Sequence, residues 1–213
     1  FMGQAGLLEL NTIPERYQKD ALNDGYFAKL RNEYKYLAHK FNLTPMDYRQ
    51  WRFLRLRPQN FPHIRISQLA HLYYQRKAGL SQLVEAASVE DAKKVLATAV
   101  TPYWETHYTF GSTSVRNDKN LSPFSLNLLC INTVVPILFA YGRHRGEEKY
   151  CDRAFDFLEQ LRPENNYIIR LWQQCGLVVD NAGDSQALIQ LKKEYCDKKE
   201  CLRCRFGYEY LKL

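Results

Sequence analysis

The chain has 213 residues, 46% hydrophobic and 14% aromatic, with six cysteines and a net charge of +7. Such length and apolar content exclude a disordered chain and suit one domain, or two small ones packed together, around a sizeable core. Six cysteines at this length exclude a disulfide framework, and no leader peptide is visible, so free or metal-bound thiols in a reducing cytoplasm are expected. The numbering opens on Phe1 rather than Met, which suggests a chain that begins inside a longer protein.

In chain order the pattern is helical nearly throughout. Phe27, Leu30, Tyr34, Leu37, Ala38 and Phe41 recur at three- and four-residue spacing and predict an amphipathic helix over 25–42. Thr44-Pro45-Met46-Asp47 predicts the start of the next helix, which carries Trp51 and Leu54 and stops before Pro58. Pro62 opens another, through Ile66, Leu69, Leu72 and Tyr73. Ser88 followed by Asp91 is a capping box ahead of a helix to about residue 98.

Tyr103 to Tyr108 is an aromatic core helix, and 110–121, with Gly111 and three hydroxyl residues, a long loop. No charge occurs between Asn120 and Gly142. Asn127, Asn132, Pro123 and Pro136 argue against a membrane span there and for a buried core helix, kinked at Pro136. Helices over 147–161, 164–175 and 184–196 follow, the second ended by Gly176. Leu177 to Val179 is a short strand candidate, but no alternating run of useful length occurs. The expected fold is all-α: a single compact multi-helical domain over 1–213, of about eight to ten helices, with a cysteine-containing tail at 192–213.

Two residue clusters are candidate sites. Between Tyr48 and Val84 there is no acid, and the window holds Arg49, Arg52, Arg55, Arg57, Arg65, Arg76 and Lys77. The rest of the chain is balanced in charge, so the net basicity lies in this one segment. Arg52, Arg55, Arg57 and Arg65, set among Trp51, Phe53 and Phe61, suit phosphate contact with base stacking. The alternative is internal ion pairs with carboxylates on other helices. Cys196, Cys201 and Cys204 form the second cluster, C-x4-C-x2-C. They are three donors toward a tetrahedral zinc site or an iron-sulfur cluster, whose fourth ligand would come from Cys151, Cys175, His107 or His144. Three free thiols packed as small hydrophobes, with no cofactor, are preferred. Glu105 and His107 are a weaker acid–base candidate. No Walker loop, G-x-G-x-x-G, H-E-x-x-H or G-x-S-x-G is present, so no catalytic residue is named.

The runs LRLRPQNFPHIRISQLA (54–70), HYTFG (107–111), INT (131–133) and SQALIQLKKEYC…CLRC (185–204), with the opening GQAGLL (3–8), occur in an informative order. Together they resemble the C-terminal half of the uncharacterised bacterial domain-of-unknown-function family 2851. The resemblance implies a cytoplasmic bacterial protein with a further N-terminal half, and supplies no catalytic residue. The expected function is binding of nucleic acid or another polyanion through the arginine segment. The alternative is a structural or interaction domain that packs on its own N-terminal domain.

Overall fold

A computed structural model describes residues 1–75 and 79–212; Arg76 and Lys77 of the basic window lie outside the described residues. The fold is predominantly helical. In chain order the helices are α1 (Glu15–Leu22), α2 (Gly25–Phe41), α3 (Pro62–Tyr74), α4 (Leu80–Glu85), α5 (Val89–Leu96), α6 (Pro102–Glu105), α7 (Pro123–Leu129), α8 (Val135–Arg145), α9 (Glu148–Gln160), α10 (Tyr167–Gln174), α11 (Ala182–Leu191) and α12 (Arg205–Leu211). Strands β1 (His107–Thr109) and β2 (Ser112–Thr113) form one antiparallel hairpin between α6 and α7. By internal contact the chain divides into two compact units, Phe1–Ala78 with Leu96–Ser122, and Gly79–Val95 with Pro123–Leu213.

The core of the first unit is aromatic. Trp104, Phe27, Phe110, Leu7 and Ile64 are fully buried. Tyr103 lies between two rings, stacked on Tyr26 at 4.1 Å and on His107 at 4.0 Å. Its hydroxyl donates to Asp24, whose other carboxylate oxygen caps α2 by accepting the Tyr26 N–H at 2.8 Å. One side chain thus starts a helix and fixes the ring stack. Asn42 closes α2 in the left-handed conformation, φ 49°. Gly111 turns the hairpin with φ +72°; a Cβ there would lie 2.4 Å from the Tyr17 carbonyl oxygen, so only glycine lets the hairpin sit against α1.

The helix predicted over 44–57 does not form. Residues 42–47 are irregular, Tyr48–Gln50 is one turn of 3-10 helix, and Pro58–Asn60 is another. The N-terminal loop instead holds this stretch in its irregular form. The Met46 N–H donates to the Gln4 carbonyl at 2.8 Å, and the Trp51 indole donates to the Ala5 carbonyl at 2.8 Å. Gly6, φ +70°, lies so close to the Met46 carbonyl that a Cβ would be 2.2 Å away. Tertiary hydrogen bonds outweigh a local helix signal here. The aromatic helix predicted over 103–108 is also shorter than expected: α6 ends at Glu105 and the chain turns into β1.

In the second unit the capping box is present: the Asp91 N–H donates to Ser88 Oγ at 3.1 Å, and Ser88 Oγ donates to Asp91 Oδ2 at 2.7 Å. Asn166 caps α10 by accepting from the Ile168 and Ile169 N–H groups, and Asn181 caps α11 by accepting from Asp184. Gly142 brings α8 against α9, because a Cβ would meet Cys151 Sγ at 2.8 Å. Residues 177–179 form no strand.

Helices α7 and α8 run on through a π-helical stretch, Cys130–Val134, just ahead of Pro136. Pro136 has no N–H and its ring crowds the preceding turn; a turn widened by one residue relieves that conflict, and Asn132 Nδ2 donates to the Leu128 carbonyl. Pro123–Arg145 is, among the described residues, a helix long and apolar enough to cross a membrane, with mean hydropathy 1.7 and 28% of its window buried. The expected buried core helix is therefore buried on one face only. Cys130, Ile131, Val134, Val135 and Leu138 turn inward, while Phe124 and Phe139 are exposed.

Candidate functional site

The arginine segment is an irregular loop, so Arg52 and Arg55 do not share a helix face. Arg55 itself adopts the left-handed region, φ 64°. Arg52, Arg55 and Arg57 are all exposed. Among the described residues none of the three has a hydrogen bond or an ion pair from its guanidinium. Their neighbour Arg49 differs: it makes a two-pronged pair with Asp47, Nε to Oδ1 at 3.1 Å and Nη2 to Oδ2 at 2.7 Å. The expected internal ion pairs with other helices are thus not made by Arg52, Arg55 and Arg57.

Arg65 stands in the first turn of α3, as predicted, but is already engaged. It donates to Gln68 Oε1 at 3.0 Å and to Asn60 Oδ1 at 2.6 Å. Burial holds its guanidinium below the usual range, although arginine remains charged in any ordinary solvent. It fastens the Pro58–Asn60 turn to α3 and so positions the loop that carries the other three.

That loop forms one wall of a groove of about 810 Å³ within the first unit. Phe53, Pro58 and Phe61 come from the arginine segment; Arg16, Tyr17 and Gln18 come from α1; Tyr108, Thr109 and Ser112 come from the hairpin. The Phe53, Phe61, Tyr17 and Tyr108 rings are half-buried. The sequence pattern offered no sign of this groove, because its walls come from three separated segments.

Behind the hairpin lies Lys119, 5% exposed. Its ammonium donates to the carbonyls of Trp104, Glu105 (2.9 Å) and His107 (3.2 Å) and sits 4.1 Å from the centre of the Tyr108 ring. Burial lowers its pKa, and Glu105 opposes that shift. A cation held by three carbonyls and a ring face ties α6 to β1. Sequence alone gave no hint of this role, since Lys119 sits in the long predicted loop.

Glu105 and His107 do not act on one another. Glu105 pairs with Arg116 at 2.7 Å, and His107 Nδ1 donates to the Tyr103 carbonyl at 2.8 Å. His63 carries no pattern signal, yet it is fully buried among Phe53, Trp104 and Phe110, and neither ring nitrogen has a hydrogen-bond partner among the described residues. Burial pushes its pKa down to about 4.

The cysteine cluster lies in the second unit. Cys196, Cys201 and Cys204 line one small pocket, about 280 Å³, with Trp172, Leu177, Leu188 and Leu191. Cys196 ends a π-helical stretch that continues α11, and Cys204 precedes α12. Gly207 lets α12 rest on this turn, as a Cβ would lie 2.4 Å from the Cys201 carbonyl oxygen. Burial and the adjoining Cys204 and Cys201 push the Cys196 thiol up. Among the described residues no three His, Cys, Asp or Glu side chains are grouped so as to hold a metal ion.

No curated protein and no solved structure matches the chain. The profile of the family described as "Protein of unknown function (DUF2851)" matches residues 1–167, which take in the whole first unit, including the groove, and end before the cysteine cluster. The chain belongs to that family.

Proposed function

We propose that this chain is a helical domain that binds nucleic acid, or another polyanion, through its arginine segment. One observation carries this: Arg52, Arg55 and Arg57 are exposed, and among the described residues no carboxylate neutralises them, in a stretch whose sequence has no acid from Tyr48 to Val84. A cluster of uncompensated cations on one loop concentrates positive potential, and phosphates answer it by releasing counterions. The six cysteines are all free thiols, which supports a reducing compartment such as the cytoplasm.

The test is the salt dependence of binding to a duplex and to a single-stranded oligonucleotide. Each lost phosphate contact removes roughly 0.7–0.9 from the slope of log K against log salt. Replacing Arg52, Arg55 and Arg57 together by Gln should lower that slope by about 2–3 if all three contact phosphate. All three side chains are exposed and, among the described residues, make no hydrogen bond or ion pair, so stability should stay within about 0.5 kcal/mol. Absence of binding at low salt, or an unchanged slope, overturns the proposal.

The alternative, an interaction domain that packs on a further part of its own protein, has one observation in its favour. Leu54 is 85% exposed between Arg52 and Arg55, an apolar side chain without cover. Sensitivity of that association to Leu54→Ser, with no nucleic-acid binding, would establish it instead.

A further inference from the structure

We infer that the bound form is single-stranded nucleic acid, whose unpaired bases enter the groove beside the arginine loop. The inference rests on the polyanion proposal above and goes further, because it assigns the groove as a base site. Arginines alone would not select a single strand. A duplex has the higher charge density, so a purely electrostatic surface prefers it. The groove changes the balance.

Three features point to bases. The first is ring chemistry. Phe53 and Phe61, in edge contact at 5.6 Å, share the groove wall with Tyr17 and Tyr108, each of which has a cation over one of its two faces, Arg16 and Lys119. Aromatic faces at a surface bind unpaired bases regardless of sequence; in a duplex those base faces are already stacked on each other. Second, the size suits a ligand: about 810 Å³ falls in the usual range for ligand sites, roughly 300–1,000 Å³. Third, charge and stacking share one segment. Phe53 and Pro58 line the groove and bracket Arg55 and Arg57, with Arg52 adjoining Phe53. A strand laid along this loop would meet phosphate contacts and ring faces within a few residues of each other. Arg16, whose guanidinium lies 4.6 Å from the centre of the Tyr17 ring, adds a cation on the facing wall. Glu15 is the one acid among the groove's lining residues and opposes it in part.

The remaining lining is mixed: Ile13 and Pro14 are apolar, and Asn11, Thr12, Gln18, Thr109 and Ser112 are polar. The polar side chains can exchange hydrogen bonds with any base edge, but they form no fixed array that would read one sequence. Binding is therefore expected to tolerate sequence and to discriminate strandedness.

The experiment compares short oligothymidylate and oligouridylate with a duplex of equal length, by fluorescence anisotropy at low salt, on the full chain. Tighter binding of at least one single strand than of the duplex is expected. Phe53→Leu with Phe61→Leu keeps the apolar volume and removes two ring faces. It should weaken single-strand binding by about tenfold and leave duplex binding unchanged. Circular dichroism would establish that the double variant is folded. The wild-type comparison needs no variant, so the inference stays testable if that variant fails to fold. Equal or tighter duplex binding overturns the base site while leaving the arginine proposal intact. Loss of both single-strand and duplex binding in the folded variant also overturns it. No binding of any probe by the wild type overturns both proposals.

Discussion

The arginine loop and the cysteine turn are both dense clusters of one residue type, and their surroundings differ in kind. The loop stands beside an open groove walled by half-buried rings and polar side chains, with three of its cations unpaired. The cysteine turn folds round a small pocket whose other walls include Trp172, Leu177, Leu188, Leu191, Tyr195 and Phe206. A ligand-like cluster acts through what faces it. Cations that face solvent and ring faces can take a charged, flat ligand; the thiols border an apolar pocket, and of the three only Cys204 is buried. A related contrast appears inside the basic window, where Arg49 is neutralised by Asp47 while Arg65 keeps its charge but is held by the amides of Asn60 and Gln68.

Three perturbations would sharpen or break this contrast. The largest effect is expected at Trp104, 1% exposed, which contacts the Tyr26, Tyr103, His63 and Phe110 rings. Trp104→Ala should cost about 3–5 kcal/mol in urea denaturation, because the aromatic platform behind the groove loses its centre. A cost below 1 kcal/mol would mean that the groove does not depend on that platform.

Acid should have a somewhat smaller effect, through His63. The imidazole takes up a proton near pH 6.5 in the unfolded chain and only near 4 in the fold. The unfolded state therefore binds more protons between these values, and stability falls as pH drops. The stability is complete above about 6.5, declines by roughly 1.4 kcal/mol per pH unit, and is lower by about 3 kcal/mol near pH 4. His63→Leu should flatten this part of the stability–pH curve. If the curve of the variant overlays that of the wild type, His63 is not the buried neutral group described.

The smallest effect belongs to the cysteine turn. Cys196 is exposed, and Cys196→Ala should change stability by no more than about 0.5 kcal/mol, with or without added zinc. Zinc-dependent stabilisation of the wild type, lost in this variant, would reverse the contrast and restore the trio as a metal site.

Several elements were legible because their causes are local. The amphipathic spacing of 25–42 gave α2, Pro62 gave the start of α3, Ser88 with Asp91 gave the cap of α5, and the 147–161 pattern gave α9. Elsewhere the sequence misled for an equally definite reason. Thr44-Pro45-Met46-Asp47 is a sound helix opening, yet residues 3–6 lie alongside and hold the stretch irregular, through the Met46 N–H to Gln4 bond and the close packing of Gly6 on the Met46 carbonyl. The hairpin at 107–113 was hidden because its strands are too short to alternate, and it is held by Lys119 and Gly111 rather than by propensity.

Composition, periodicity and caps determined a helical protein with its positive charge in one segment, since these depend on residues close in sequence. Which arginines remain unpaired, that Phe53, Tyr17 and Tyr108 share a groove, and that His63 is sealed among rings were decided by the tertiary structure. Each depends on partners tens of residues away, and only folding settles which distant side chains neutralise, stack on or bury one another.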